Sequence, residues 1–347
     1  MPDPAPVTMA ARPEWSKLTG RILASRCERR TRYHRGVAAP RLILVLSENW
    51  TMVSPRDLPA LVLMARHAED AGFDGVMVSE HVVLGRDADV EGLPANPREY
   101  ALPGNQDPSM AWPSSLLLLA GVASATSRLR LVAGAVIPPF RHPLLIAKDL
   151  ATLDLLSEGR LVVQPTVSWH RGEYEALGVP FEQRGDLLDE HLAAWPTVWR
   201  YSPASFKGRH YRFTDVHLEP KPWRPEGPPL WFGGSSMHPR LVRRIVTYGR
   251  GFNPLGRPAP ADIEELAAAM TDTGRDIGEL EMAGGTRAEF GDPTGVADLG
   301  RALESIPEQW EQGFTTFFVK PSQFTDDPAE VGPLCREVVD RVAALVS

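Results

Sequence analysis

The residues most suited to chemistry in this chain sit where apolar runs end. In "GVMVSEHVVLG" a buried-looking stretch closes on Glu80 and His81, a carboxylate beside an imidazole. An imidazole titrates near neutrality and burial can tune a carboxylate toward the same range, so the pair suits general acid–base work. Ser47, Glu48 and Asn49 close a second apolar run in the same manner. In "WFGGSSMHPRLVRR", Gly233, Gly234, Ser235 and Ser236 expose backbone N–H groups and hydroxyls just before a helical pattern, a favourable place for a phosphate. Arg240, Arg243 and Arg244 add positive charge there. "WHRGEY" gathers Trp169, His170, Glu173 and Tyr174, too polar a group for simple core, and Trp169 and Tyr174 are expected to touch a ligand or wall its pocket. The nine histidines include no His-x-His pair, and Cys27 and Cys335 have no C-x-x-C spacing, so neither a metal centre nor a disulfide framework is expected.

Positioning these groups is the task of an alternation of short apolar runs and helical patterns, the mark of βα units around a parallel sheet. Eight runs are visible, beginning near 41, 75, 129, 160, 228, 249, 279 and 314. The intervening helices carry their own start and stop chemistry. In "SPRDLPALVLMARHAEDAGF", Ser54 is a candidate cap, Pro55 suits a first turn, Asp57 favours the N-terminus and Gly72 can end the helix. The last helix is expected to open at Asp327 before Pro328. Eight such units close most simply as an α/β fold of the (β/α)8 TIM-barrel type. In that fold the C-terminal strand ends meet at one mouth, where polar residues read as chemistry. Two stretches exceed ordinary loop length, 82–112 and 200–227, the second with a hairpin-like "KGRHYRFTDVHLEPKPW". Both are expected to wall the pocket.

Composition bounds the partners. The chain has 347 residues, 43% hydrophobic, and a formal charge of −7. That balance disfavours nucleic acid and anionic membrane, so a small-molecule substrate is expected. The longest apolar stretch is too short to cross a bilayer, and low cysteine usage suits a reducing cytoplasm. Residues 1–40 carry eight basic residues against three acidic ones with little apolar periodicity, which reads as a flexible N-terminal extension before a barrel over 41–347.

Several of these stretches, in this order, resemble one family. "MARHAEDAGFDGVMVSEHVVLG", "ASATSRLRLVAGAVIPPFRHPLLIAKDLATLDLLSEGRLVV", "WHRGEYEALGVPFEQRG" and "PPLWFGGSS" are similar to the bacterial-luciferase-like oxidoreductases that use flavins or deazaflavins. "SEHVVLG" and "FRHP" most resemble the branch that depends on coenzyme F420. The resemblance implies a (β/α)8 barrel, usually dimeric, whose third strand carries a bulge with a non-prolyl cis peptide against which the tricyclic ring rests. The matching positions are Ala135 and Val136. It also implies that Phe252 and Asn253 help to line the cofactor. One segment departs: where the family is glycine-rich after "GRLVV", this chain reads Gln164, Pro165, Thr166, Val167, Ser168, Trp169. Side chains replace open backbone there, Pro165 removes an N–H, and the hydroxyls of Thr166 and Ser168 are candidate substitutes for backbone contacts. Trp169 stands where some F420 enzymes carry a carboxylate proton donor.

The resemblance implies F420-dependent hydride transfer to or from a small organic substrate, with Glu80 or His81 handling the accompanying proton. An FMN-dependent monooxygenase is the alternative within enzymes. A barrel that binds flavin without turnover is the alternative outside them, and the altered 164–169 segment motivates it.

Overall fold

A computed structural model of the chain describes residues 39–234 and 236–346. The expected N-terminal extension therefore lies outside the described residues, apart from positions 39 and 40, as do Cys27 and Ser235.

The elements run β1 (Arg41–Val45), α1 (Leu58–Ala71), β2 (Gly75–Val78), α2 (Ser115–Ala125), β3 (Arg130–Val136), α3 (Pro143–Leu156), β4 (Leu161–Pro165) and α4 (Arg171–Ala176). There follow α5 (Arg184–Arg200), the strands β5 (Ala204–Lys207) and β6 (Arg212–Val216), β7 (Leu230–Phe232), α6 (Pro239–Tyr248) and β8 (Gly249–Phe252). The chain then forms α7 (Pro260–Asp272), β9 (Glu281–Gly285), α8 (Leu299–Leu303), α9 (Ile306–Glu311), β10 (Thr316–Val319) and α10 (Val331–Val346). Eight strands close a parallel barrel in the order β1-β10-β9-β8-β7-β4-β3-β2, while β5 and β6 pair antiparallel outside it. Each of the eight apolar runs contributes one barrel strand, and the fold is the expected (β/α)8 barrel.

Strand alternation divides the core. Ile43 and Val45 point into the barrel with Val132, Val162, Trp231, Ala283 and Phe318. Leu42 and Leu44 point outward into the layer packed against the helices. The N-terminal end is closed by charge: Glu281 takes Arg130 at 2.7 Å and Arg41 at 3.1 Å, and Thr316 donates to it as well. This leaves the opposite end for the polar strand termini.

Local stops behave as the sequence suggests, with one shift. Asp57 rather than Ser54 caps α1, accepting from the Ala60 N–H, because Pro59 occupies the first turn; Ser54 instead accepts from the Arg56 N–H. Gly72 ends the helix at φ 96°, a left-handed value that suits glycine. Asp327 opens a short 3-10 turn, Pro328–Glu330, that leads into α10.

In β3 the peptide between Gly134 and Ala135 is cis, and the register against β4 shifts between Gly134 and Val136. The bulge is thus where the resemblance places it, with the cis bond one residue earlier than the Ala135–Val136 pair. Ala135 is half-buried and Val136 fully buried.

Candidate active site

At the end of β2 the two expected residues take different roles. Glu80 is buried and accepts four hydrogen bonds: from Arg141 at 2.6 and 3.0 Å, from the Ile137 N–H at 2.8 Å and from the Ser115 hydroxyl at 3.1 Å. A carboxylate filled by a bidentate guanidinium and a backbone amide is a fixed anchor. It ties the turn after β3 to the end of β2. His81 is arranged differently. Its Nδ1 donates to Glu173 at 3.0 Å, and its ring meets Trp112 edge-on at 5.0 Å and Trp169 at 6.1 Å. No hydrogen bond reaches its Nε2 among the described residues. A carboxylate on Nδ1–H selects the tautomer whose Nε2 carries a lone pair, ready to accept a proton.

Glu173, fully buried, is the residue that organises this corner. It also accepts from the Val82 N–H at 2.5 Å, the Val83 N–H at 3.3 Å and the Ser168 hydroxyl at 3.3 Å. His170 accepts from the Gly85 N–H at 2.7 Å, so the segment after β4 is stitched to the loop after β2 at several points. Ser168 adopts φ 57°, and the backbone N–H of Thr166 is spent on the Val136 carbonyl at 2.8 Å. Trp169 stands where a carboxylate was a possibility, yet a carboxylate still reaches the site, from Glu173 four residues later. Tyr174 departs from expectation. It is fully buried between Phe140 and Phe181, its hydroxyl donates to the Val167 carbonyl, and burial pushes its pKa up. Its position on the inner face of α4 makes it a core residue beneath the site.

Across the mouth, β7 and β8 end together. The Asn253 side-chain amide donates to the buried Gln164 at 2.9 Å, joining the ends of β8 and β4. Gly233 lies so near the Asn253 carbonyl that a Cβ would fall 2.0 Å from that oxygen, so only glycine allows the two strand ends to approach. Gly234 is half-buried and Ser236 exposed just before α6, whose first turn is capped by His238. The neighbouring arginines are already engaged. Arg240 pairs with Asp186 at 2.7 Å, and Arg243 and Arg244 pair with Asp189 at 2.8 and 2.7 Å. They fasten α6 to α5.

The remaining wall comes from the 82–112 insertion. Trp112 lines a recess with Ser47, Glu48 and Ser79 at the ends of β1 and β2. Tyr100 packs over the barrel interior, and Lys320, fully buried after β10, lies 5.4 Å from its ring and donates to the Glu99 carbonyl at 2.9 Å. Burial pulls the Lys320 ammonium down in pKa, opposed by the Glu48 carboxylate. The 200–227 segment does not share this wall. Its hairpin lies along α5, where Glu190 accepts from the N–H groups of Arg209, His210 and Tyr211, and its return strand pins Lys221 to the carbonyls of Val198 and Tyr201 at the far end of that helix. The segment follows a helix rather than a strand, so it starts at the end of the barrel opposite the mouth.

Arg141, Gln164, Tyr100, Trp112 and Lys320 were not singled out by sequence reasoning. Arg141 lies within "FRHP" and Gln164 in the altered segment, so both carried a signal. Lys320, directly after β10, closes an apolar run and so carried the strand-end signal as well, whereas Tyr100 and Trp112 carried none, because only the folded insertion brings them to the mouth.

The donor set suits a planar, acceptor-rich heterocycle. Among the described residues, Tyr100 Oη and Trp112 Nε1 are two of the buried side-chain polar atoms that have no hydrogen-bond partner, and a bound group could complete them. Gln164 and Asn253 carry side-chain amides at this end of the barrel, beside the backbone of Gly233.

The luciferase-like monooxygenase family model matches residues 40–293. The FMNH2-dependent dimethylsulfone monooxygenase of Pseudomonas putida is 32% identical over 187 residues, 53% of this chain and 46% of that protein. The chain thus spans about half the length of that curated relative. Among solved structures, monooxygenase RslO1 from Streptomyces bottropensis superposes with a TM-score of 0.67 at 18% identity, covering 88% of this chain and 100% of that one. An F420-dependent secondary alcohol dehydrogenase, in complex with an F420-acetone adduct, gives 0.64 at 18% identity, covering 88% and 99%. At such identity the structural likenesses speak to the fold alone.

Proposed function

Because the chain belongs to the luciferase-like monooxygenase family, we propose that its barrel mouth binds reduced FMN and oxygenates a small organic substrate. The observation that carries this reading is the His81–Glu173 pair, an imidazole fixed by a buried carboxylate with its second nitrogen open between two tryptophans. The dimethylsulfone monooxygenase at 32% identity supports FMN over F420, which is supported only by structural neighbours under 20% identical.

Bound reduced FMN would supply electrons to molecular oxygen, whereas F420 would supply hydride. The chain's own residues do the rest. Gly233, Gly234, Ser235 and Ser236 hold the phosphate through N–H groups and hydroxyls. The bulge at Gly134, Ala135 and Val136 backs the ring, and Asn253 with Gln164 reads its polar edge. Thr166 and Ser168 line the side once left to open backbone, and Trp112 and Trp169 keep water from the mouth. His81 Nε2 holds or moves the proton that the reaction requires, with Glu173 fixing its tautomer. Glu80 acts at one remove, by holding Arg141 and the turn after the bulge.

A homodimer is the expected assembly. Exposed leucines on three adjoining helices, Leu63, Leu117 and Leu145, support it. Among the described residues no helix is long and apolar enough to cross a membrane.

Fluorescence titration of the full chain against FMN and F420, followed by oxygen uptake with reduced FMN, tests the reading. FMN binding with substrate-dependent oxygen uptake is the expected result. Bleaching of F420 on mixing with substrate, with no FMN binding, would replace it by hydride transfer. FMN binding without turnover on any substrate would leave a flavin-binding barrel.

A further inference from the structure

The first turn of the 82–112 insertion is held to the segment after β4 through two side chains. The Val82 and Val83 N–H groups go to the Glu173 carboxylate, and the Gly85 N–H goes to His170 Nε2 at 2.7 Å. A backbone N–H only donates, so the Gly85 bond requires a lone pair on Nε2 and a neutral ring with its proton on Nδ1. A carboxyl group can accept whether or not it is charged, but an imidazole that takes a proton at Nε2 changes from acceptor to donor. Of these ties, the one at His170 is therefore the one that proton uptake reverses. A second partner waits for that proton. The Asp87 carboxylate lies 3.8 Å from Nε2, and it is exposed where His170 is buried, so it offers both a counter-charge and a route to water. Two glycines leave room for the exchange: a Cβ on Gly85 would fall 2.7 Å from the Asp87 carboxylate and 3.1 Å from Nε2, and one on Gly172 would fall 3.2 Å from each. The other charged groups of this segment are engaged, Arg171 with Glu182, and Glu173 with His81, Ser168 and the two valine amides.

The Gly85 bond is the first of a series. The Gly85 carbonyl accepts from the Ala88 N–H at 3.0 Å, and the Ala88 carbonyl accepts from the Gln106 N–H at 2.9 Å, which ties the outgoing arm of the insertion to its return. In the other direction Gly85 lies four residues beyond His81. The rings are linked as well, His170 to Trp169 at 4.9 Å and Trp169 to His81 at 6.1 Å. A proton on Nε2 would set a donor against the Gly85 N–H, a costly arrangement that the turn relieves by moving. We propose that His170 is a positioning residue: by taking a proton at Nε2 it breaks the Gly85 bond, turns to Asp87 and releases the turn that follows His81. One proton enters from solvent, one hydrogen bond is lost at Gly85 and one charge-assisted bond is made to Asp87. An imidazole titrates between about pH 5 and 8, so the latch is closed on the alkaline side of that window and open on the acid side. The latch needs no cofactor, so it stands or falls apart from the flavin reading; its effect on turnover alone rests on the proton role given to His81.

The test follows the Gly85 amide and the histidine ring nitrogens of the full chain, labelled with ¹⁵N-glycine and ¹⁵N-histidine, from about pH 5 to 8 with no ligand added. Gly85 is assigned by its loss in Gly85→Ala, and the two rings by their loss in His170→Gln and His81→Gln. The Gly85 amide should shift as His170 takes its proton, and its hydrogen exchange should quicken about three- to tenfold beyond the intrinsic pH dependence, the worth of one hydrogen bond. The His81 ring should show a second inflection at the same pH. In His170→Gln the side-chain oxygen accepts from Gly85 and does not titrate, so all three effects should vanish. Asp87→Asn should move the Gly85 midpoint to lower pH, because it removes the charge that receives the ring. A His170 ring that stays neutral down to about pH 5, a Gly85 amide that ignores its protonation, or a Gly85 shift that persists in His170→Gln overturns the latch. A Gly85 titration with no second inflection at His81 overturns the positioning role. The wild-type curves decide the matter by themselves should His170→Gln fail to fold.

Discussion

Replacing Glu173 by glutamine tests how His81 is set. Glu173 accepts from four donors in a fully buried place, two backbone N–H groups on one oxygen and His81 with Ser168 on the other. The amide in Glu173→Gln must keep its oxygen toward Val82 and Val83, because an NH2 there would face two N–H groups. Its NH2 therefore faces His81 Nδ1, which must become an acceptor, and the ring proton moves to Nε2. The variant keeps shape but inverts the tautomer. Loss of the charge-assisted bonds should cost about 1.5–3 kcal/mol of stability, read by denaturant unfolding. If His81 Nε2 serves as proton acceptor, turnover should fall by about 10²-fold or more, because general-base assistance is worth that much. Imidazole ¹⁵N shifts report the tautomer without any substrate, and oxygen uptake with reduced FMN reports the rate. A tautomer inverted as expected with a rate within about threefold of the wild type would refute the proton role of His81. An unchanged tautomer would refute the hydrogen-bond geometry itself.

Arg141→Met should cost about 3 kcal/mol, since it strips two of four donors from a buried carboxylate; adding Glu80→Gln should recover part of the loss in a thermal-unfolding cycle. Gly233→Ala should lose about 1–3 kcal/mol and weaken FMN binding, because its Cβ would meet the Asn253 carbonyl at 2.0 Å; unchanged stability and affinity would show that the strand ends can part freely. At the barrel floor, burial works against the Glu281 charge, but Arg130, Thr316 and Arg41 outweigh it and hold the carboxyl below its ordinary range. Its stabilising share is present above the unfolded-state value and is lost as pH falls through the lower folded value. Glu281→Gln should therefore flatten the fall in stability below about pH 4, followed by urea midpoints against pH.

The barrel was legible because its signal is repeated: eight apolar runs at strand length, each followed by a helix with readable caps, leave few ways to close. His81 was legible because a titratable residue ended a buried strand. Glu80 looked equivalent from its neighbour's side, yet both lie just beyond β2, and there one meets Arg141 and the other Glu173. Tyr174 misled for a related reason, since the polarity of "WHRGEY" belongs to Trp169, His170 and Glu173 while the inner face of α4 takes Tyr174 into the core. Lys320 closes an apolar run and was within reach, but Tyr100 and Trp112 were not. Their placement depends on where a long insertion crosses the barrel end, which no local pattern encodes.

Equilibrium binding of FMN to the full chain, compared with Gly233→Val, tests the central claim most directly. A ring seated between the bulge of β3 and the glycines ending β7 predicts saturable one-to-one binding that the valine abolishes while the fold persists by circular dichroism. Binding of FMN that is equally tight in the valine variant would place the flavin elsewhere and contradict the account.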